Sequence, residues 1–472
     1  RLVSDWSSDV CSSDLRTVER PMPVEFVTID RDTPYLLPPS VQDYLPEDHL
    51  ARFVAEMVDQ LDMSTLLGVY AGKGKKPYHP AMLVALLFYG YATGTFSSRK
   101  LEKATYDSIA YRYLCANTHP DHDTIASFRK RFLKELEGFF VELLLVGQAM
   151  GLVKLGTVSL DGTKIKANAS KHKALSWAHA NKLEAQLQAE VDELLRLAEE
   201  ADNSALPEEM AIPEELKRRE ARLAKIAEAK AEIQARAQAR FEREQVEYEE
   251  KMARRKAKQE RTGKKPGGRP PKAPSAEPRA KDQVSLTDED SRIMPSNEGF
   301  KQCYNAQAGV DADTHLIVEQ HISQQPNDKQ EVAPTLERLQ QLPDALGQAN
   351  ALLADTGYFS EANVNGCEAD SITPYIPEGR QSHNEPLYER FAADPPAPEQ
   401  PSAVEAMAHR LKTREGKATY AQRKSTVETV FGIIKNVQGF RQFLLRGLDA
   451  VAGEWSLVCI GWNLKRLHAL KG

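Results

Sequence analysis

The sequence predicts an α/β protein in which an all-helical N-terminal region precedes a domain with a mixed sheet, and a long charged helical insertion interrupts that domain. Three observations carry this. Residues 48–151 place apolar side chains at helical spacing. Residues 176–261 are poor in Gly and rich in Ala, Glu, Lys, Arg, Gln and Leu. Short β-like runs flank that stretch at 157–161, 303–310, 314–322 and 349–354.

Taken in order, residues 1–40 are expected to form a disordered leader. Within it, 1–15 (RLVSDWSSDVCSSDL) have no period and read as non-native sequence. Prolines within 16–46 mark an extended lead-in. Segment 48–63 carries Leu50, Phe53, Val54, Met57, Val58 and Leu61 on one helical face, and 80–92 is apolar enough for a core helix. Ser97 or Ser98 caps a short helix through Thr105, and 107–115 form another. In HPDHDTIASFRKRFLKEL, Asp123 is placed to cap a helix whose apolar face is Ile125, Phe128 and Phe132. Arg129, Lys130, Arg131 and Lys134 fall opposite. Two short helices, a turn and a basic helix are compatible with a helix-turn-helix that offers Arg129 and Arg131 to DNA; a solvated bundle face is the alternative. His119, Asp121, His122 and Asp123 are metal-ligand types, but no fourth zinc ligand is suitably spaced, so capping and turn formation are expected.

Residues 176–261 are expected as an antiparallel helical hairpin broken near Leu206–Pro213. Residues 262–282 are expected as a disordered basic Pro/Gly linker. Its PGGRPPK stretch resembles an AT-hook, with Arg269 as the minor-groove reader and Gly267 where the usual first Arg would stand. Beyond it, 303–310 and 314–322 form a hairpin around Asp311-Ala312-Asp313. Glu331–Leu342 is helical, Ala349–Ala354 is a buried strand, and 385–402 is loop. Tyr420–Val437 is one helix with Val427, Val430, Phe431 and Ile434 on its apolar stripe, and a last helix spans about 450–469.

Composition narrows the function. Among 472 residues, 62 Lys+Arg stand against 68 Asp+Glu, a net charge of −6, so any nucleic-acid binding must come from local basic patches. No apolar run reaches the ~18 residues of a membrane span, and no secretory signal pattern is evident. Cys11, Cys115, Cys303, Cys367 and Cys459 are far apart and form no CxxC pair. This argues against a zinc ribbon or a disulfide scaffold and fits a reducing cytoplasm.

Three carboxylates stand out by position. Asp161 ends one β-like run, Asp355 ends another before Thr356-Gly357-Tyr358, and Glu428 sits on a helix beside an apolar stripe. An unpaired buried charge costs several kcal/mol, so strand-end acids in a core need a reason. Two such acids and a helical one can converge at a sheet edge as an oxygen cage for hard divalent cations. Two metals about 4 Å apart can activate a water or a 3′-hydroxyl for phosphodiester displacement. Each Asp taken singly is equally a strand-to-loop turn residue. Asp328, in the loop after the hairpin, reads as a helix cap or a secondary acid. Lys164, Lys166, Lys171 and Lys173 put positive charge beside the first acid. Lys412, Arg414, Lys417, Arg423 and Lys424 put more beside the third.

The motifs together resemble a known family. LDGTKIKANAS, LLADTGYFS and VETVFGIIK resemble the three acid motifs of bacterial insertion-sequence transposases, which carry a DDE triad on an RNase H-like fold; the group numbered eleven-eighty-two is similar. LTDEDSRIMPSNEGFKQCYNAQAGVD resembles that family's lead into the sheet, and residues 78–131 resemble the InsH-type N-terminal domain. The resemblance covers 40–175 and 283–470. It implies an all-helical DNA-binding domain at 41–151, an RNase H-like DDE catalytic domain at 152–175 and 283–472, and an insertion at 176–282. It also implies that Asp161, Asp355 and Glu428 hold two Mg²⁺ (or Mn²⁺) ions, and that Tyr420, Arg423 and Lys435 contact DNA. The Tyr–Arg–Glu–Lys signature has three residues between Arg and Glu. Here Arg423 and Glu428 have four between them, and Lys424 stands at the usual Arg place. The implied function is metal-dependent strand cleavage at transposon ends and transfer into target DNA, by at least a dimer on double-stranded DNA, in the bacterial cytoplasm at the nucleoid and without a membrane. The alternatives are an RNase H-like nuclease that does not join strands and a catalytically inactive domesticated DNA-binding protein.

Overall fold

The computed structural model describes residues 40–70, 77–170, 174–201, 212–264, 267–296, 299–379 and 393–472. The leader at 1–39, most of the expected hairpin break, Lys171 and Lys173 lie outside the described residues.

Seven helices are described in the N-terminal region: α1 (Leu50–Asp59), α2 (Ser64–Gly68), α3 (Pro80–Ala92), α4 (Ser98–Asp107), α5 (Ile109–Leu114), α6 (His122–Arg131) and α7 (Leu133–Ala149). Helix α3 starts with Pro80, whose missing N–H costs nothing at a first helical position, and it is buried from Leu83 to Ala92. The cap of α6 is Asp121 rather than Asp123: its Oδ1 accepts from the Thr124 N–H at 2.7 Å. The expected outward-facing Arg129 is a correction. It is 6% exposed, and its Nη1 donates to the Tyr91 hydroxyl (3.1 Å) and the Phe96 carbonyl (3.0 Å). A long side chain on the rim of an apolar face can fold inward when the neighbouring helices supply acceptors.

The sheet has β1 (Thr157–Lys166) at its centre, with β4 (Arg292–Ser296), β5 (Gly299–Asp311), β6 (Ile317–Ser323), β7 (Ala351–Leu353) and β8 (Thr373–Tyr375). β1 pairs antiparallel with β5 and parallel with β7; β6 pairs antiparallel with β5, and β8 parallel with β7. The crossovers carry α10 (Val332–Gln340) and α11 (Glu361–Ala369). Three antiparallel strands followed by two parallel ones make this an RNase H-like sheet. Asp161 does not end its strand: pairing runs on from Asp161↔Ala308 to Lys166↔Cys303. Gly162 interrupts the side-chain alternation there but not the backbone ladder.

The C-terminal helices are α12 (Ala403–Arg410), α13 (Arg414–Ser425), α14 (Val427–Asn436) and α15 (Leu448–Lys471). The single helix expected at 420–437 breaks at Thr426 (φ −97°, ψ −97°). Helix α15 is apolar on every side and buried along most of its length; the Trp455 indole N–H donates to the Gln307 carbonyl at 3.0 Å. One continuous core joins the N-terminal helices, the sheet and α15. Among the described residues, no helix is long and apolar enough to cross a membrane.

The insertion forms the expected hairpin, α8 (Trp177–Ala201) against α9 (Ile212–Thr262), rooted on the strand pair β2 (Ala174–Ser176) and β3 (Gln283–Ser285). It has its own small core of Leu175, Ala180, Leu187, Ile226, Ala229, Ile233 and Val284. The linker differs from the disordered segment expected. Residues 267–282 are held along α9 by Arg279–Glu244 (3.1 Å) and Arg240–Asp282 (2.8 Å). Prolines leave this chain little conformational entropy to lose on docking.

Next to the sheet, buried His321 on β6 lies between Glu319 (2.8 Å) and Glu331 (3.0 Å), and the Ser323 hydroxyl also donates to Glu331. Burial pulls the imidazole pKa down, but the two carboxylates outweigh it and push it up to about 9. A raised folded-state pKa gives stability that is full below the unfolded value of about 6.5 and is lost as pH rises through about 9. Melting temperature is therefore expected to decline across that window in wild type, and less so in His321→Gln. Parallel melting curves for the two proteins would contradict the buried ion cluster.

Candidate active site

The acids are brought together by strand register. β1 and β7 run parallel with Ser159 opposite Leu353. Two residues further along each chain stand Asp161 and Asp355, at the same level on neighbouring backbones. Helix α14 packs on β1 and β5 through Val427, Val430, Phe431 and Ile434, which sets Glu428 in its first turn at the edge of the same site. Arg423, near the end of α13, ties the ends together. Its Nη1 lies 3.4 Å from Asp161 Oδ2, and its Nη2 donates to Glu428 Oε1 at 2.6 Å. The extra residue between Arg423 and Glu428 falls at the helix break at Thr426. Arg423 thus keeps its place among the acids, while Lys424 is exposed.

Each carboxylate has a distinct setting. Asp161 Oδ1 accepts from the Gly162 N–H at 2.8 Å. Burial raises the Asp161 pKa to about 6; Arg423 and that N–H oppose the rise, and Asp355 and Asp328 add to it. Asp355 caps the short 3-10 turn Thr356–Tyr358, with Oδ1 accepting from the Gly357 N–H at 2.7 Å. The Glu428 side chain is 45% exposed and has room to move.

A fourth acid belongs to the site. Asp328 Oδ1 accepts from Lys164 Nζ (2.9 Å), Asn305 Nδ2 (2.7 Å) and Gln307 Nε2 (2.9 Å), and Gln307 Oε1 in turn accepts the Tyr358 hydroxyl. Asp328 is not the cap of α10, whose N-cap is Glu331. Sequence reasoning missed Asn305, Gln307 and Tyr358. The available signal was Asn305 and Gln307 at alternate positions of an otherwise apolar strand, where buried polar groups require partners.

The other expected contacts divide into two sets. Tyr420 is half-buried beside Arg423; burial raises its pKa, with Arg423 opposing. Lys435 follows Glu428 along α14; burial holds its ammonium below the ordinary lysine value, with Asp161 opposing. Lys164 is bound to Asp328, and Lys166 ends β1 opposite Cys303. These four surround the acids. Arg131 is exposed on α6, over the Phe132 ring, and Arg269 is exposed beside α9. Arg129 is in the core, as described above.

The donor set suits a hard divalent cation, because it is all carboxylate oxygen and its negative charge is crowded around Asp161. Among the described residues, no three carboxylate, imidazole or thiol groups stand in ligating geometry. The Arg423 guanidinium lies between Asp161 and Glu428 instead, supplying the positive charge.

Comparison with known families gives two matches. Residues 39–131 match the family described as Transposase domain (DUF772), and residues 227–464, just over half of the chain, match the one described as Transposase DDE domain. The second match includes Asp355 and Glu428 and begins after Asp161, which joins them through the sheet. No curated protein and no solved structure matches the chain.

Proposed function

Because the chain belongs to the transposase DDE-domain family, we propose that it cuts DNA at transposon ends and joins the freed 3′ ends to target DNA. The observation that supports this most is the register of Asp161 beside Asp355 on adjacent parallel strands, with Glu428 linked to Asp161 through Arg423. In this reading Asp161, Asp355 and Glu428 hold two Mg²⁺ or Mn²⁺ ions, which when bound supply an activated oxygen nucleophile and stabilise the leaving oxygen. Arg423 holds two of the three acids together until a cation takes over their charge. Tyr420, Lys435, Lys164 and Lys166 position DNA at the carboxylates, and Arg131 and Arg269 touch it further away. Tyr420 is not a nucleophile, since burial disfavours its phenolate. Joining two ends requires at least a dimer on DNA. The setting is the bacterial cytoplasm, on nucleoid DNA.

The test is a supercoiled plasmid carrying the element's own ends, incubated with the protein, a target plasmid and Mg²⁺ or Mn²⁺. Nicks at the ends and covalent donor–target products are expected. Cleavage without joined products would turn the reading to a nuclease. Specific binding without cleavage would turn it to a DNA-binding protein.

A further inference from the structure

A groove of about 380 Å³ opens where β1 ends, lined among others by Lys166, Ile293, Phe300, Lys301, Gln302 and Gln442. Two of its apolar side chains lie open to solvent: Phe300 is 68% exposed and Ile293 42%. Both sit on the β4–β5 ribbon, where Pro295 pairs with Phe300 and Ile293 with Gln302. A ring this exposed adds almost nothing to the core and marks a contact surface.

The charge around the groove identifies what it contacts. Lys164, Lys166, Lys301 and Lys435 all act electrostatically on Cys303, which pairs with Lys166 in the sheet. Lys435 is also within electrostatic reach of Asp161. Positive charge therefore runs from the carboxylates to Phe300. No acidic side chain is among the described residues lining the groove. Asp161 and Lys166 are five residues apart on one strand, about 16 Å. Duplex DNA advances about 3.4 Å per nucleotide along each strand, so the groove lies within about five nucleotides of a phosphate held at the carboxylates. A neutral protein surface has no use for such a lysine row, whereas a nucleic-acid strand matches both the row and the ring, because every base offers a π face.

We propose that this groove is a nucleobase site: an unpaired base of the strand leaving the carboxylates stacks on Phe300, with its flanking phosphates on Lys166 and Lys301. The proposal rests on the transposase reading above and adds that the DNA is opened next to the cut.

The test uses duplex oligonucleotides of the element's own terminal sequence, with 2-aminopurine placed singly at each of the first several positions on either side of the cleavage point. Binding is measured with Ca²⁺ in place of Mg²⁺. Wild type is expected to change the fluorescence at one position strongly. Phe300→Ala abolishes that change and weakens end binding about tenfold, while Phe300→Trp keeps both. The melting temperature of Phe300→Ala should equal that of wild type, since the ring is exposed. If no position responds to Phe300→Ala while the protein still cleaves and joins, the groove is not a base site and the transposase reading stands. If the fluorescence change depends on Phe300 but no cleavage is found, the groove assignment stands and the catalytic reading fails. If Phe300→Ala alters only the oligomeric state, the groove is a subunit contact and the proposal is overturned.

Discussion

Asp161→Asn is expected to reduce end cleavage by at least about a thousandfold while leaving end binding within a few fold. The carboxylate is the buried member of the set, fixed by the Gly162 N–H and placed beside Asp355 by strand register. An amide keeps the shape and the acceptor but loses the charge that a cation requires. Asp355→Asn and Glu428→Gln should lose cleavage likewise. Stability separates this outcome from misfolding. Burial and the neighbouring acids Asp355 and Asp328 disfavour the Asp161 charge, so neutralising it should hold or raise the melting temperature. Function and stability then move in opposite directions, as at other strained functional sites. An Asp161→Asn protein that cleaves at the wild-type rate would remove it from the catalytic set. One that loses both cleavage and folding would make its role structural.

The two strand-associated acids were legible because each follows a short apolar run, and β7 does end next to Asp355. Glu428 was legible because the stripe Val427, Val430, Phe431 and Ile434 leaves it at the edge of the buried face. The break at Thr426 was hidden by that same stripe, which continues the helical period without interruption. The extra residue between Arg423 and Glu428 was its only trace. Arg129 misled because a helical period assigns a face to Cα, not to a guanidinium several bonds away. Its acceptors, Tyr91 and Phe96, come from elements more than thirty residues earlier. Asp328 was ambiguous for a related reason. Locally it precedes a helix, whereas its partners Lys164, Asn305 and Gln307 come from the centre of the sheet. Period and turn chemistry specify elements; long-range polar partners emerge only once the strands are in register.

Gly162→Ala should be the most disruptive single methyl group in the protein. The residue does not adopt a positive φ, so its requirement is space rather than backbone freedom. A Cβ there would lie 2.1 Å from Gln307 Nε2, 2.8 Å from Asp328 Oδ1 and 2.9 Å from Asn305 Oδ1. These atoms cannot simply turn away. Gln307 is held by Asp328 at one end and by the Tyr358 hydroxyl at the other, and Asp328 also holds Lys164. Accommodating the methyl group therefore breaks a buried hydrogen-bonded cluster or bends β1 beside Asp161. Overpacking a core costs about 1–3 kcal/mol, and leaving a buried polar partner unsatisfied costs a similar amount again. Urea unfolding of Gly162→Ala should show a loss of about 2–4 kcal/mol, with cleavage falling further than the remaining folded fraction explains. Asp328→Asn tests the same cluster without the clash, because the amide keeps an acceptor for Asn305 and Gln307 but loses the charge facing Lys164. It should cost less stability than Gly162→Ala and still slow cleavage, through a displaced Lys164. If Gly162→Ala unfolds and cleaves like wild type, the polar cluster yields freely and does not position the strand that carries Asp161.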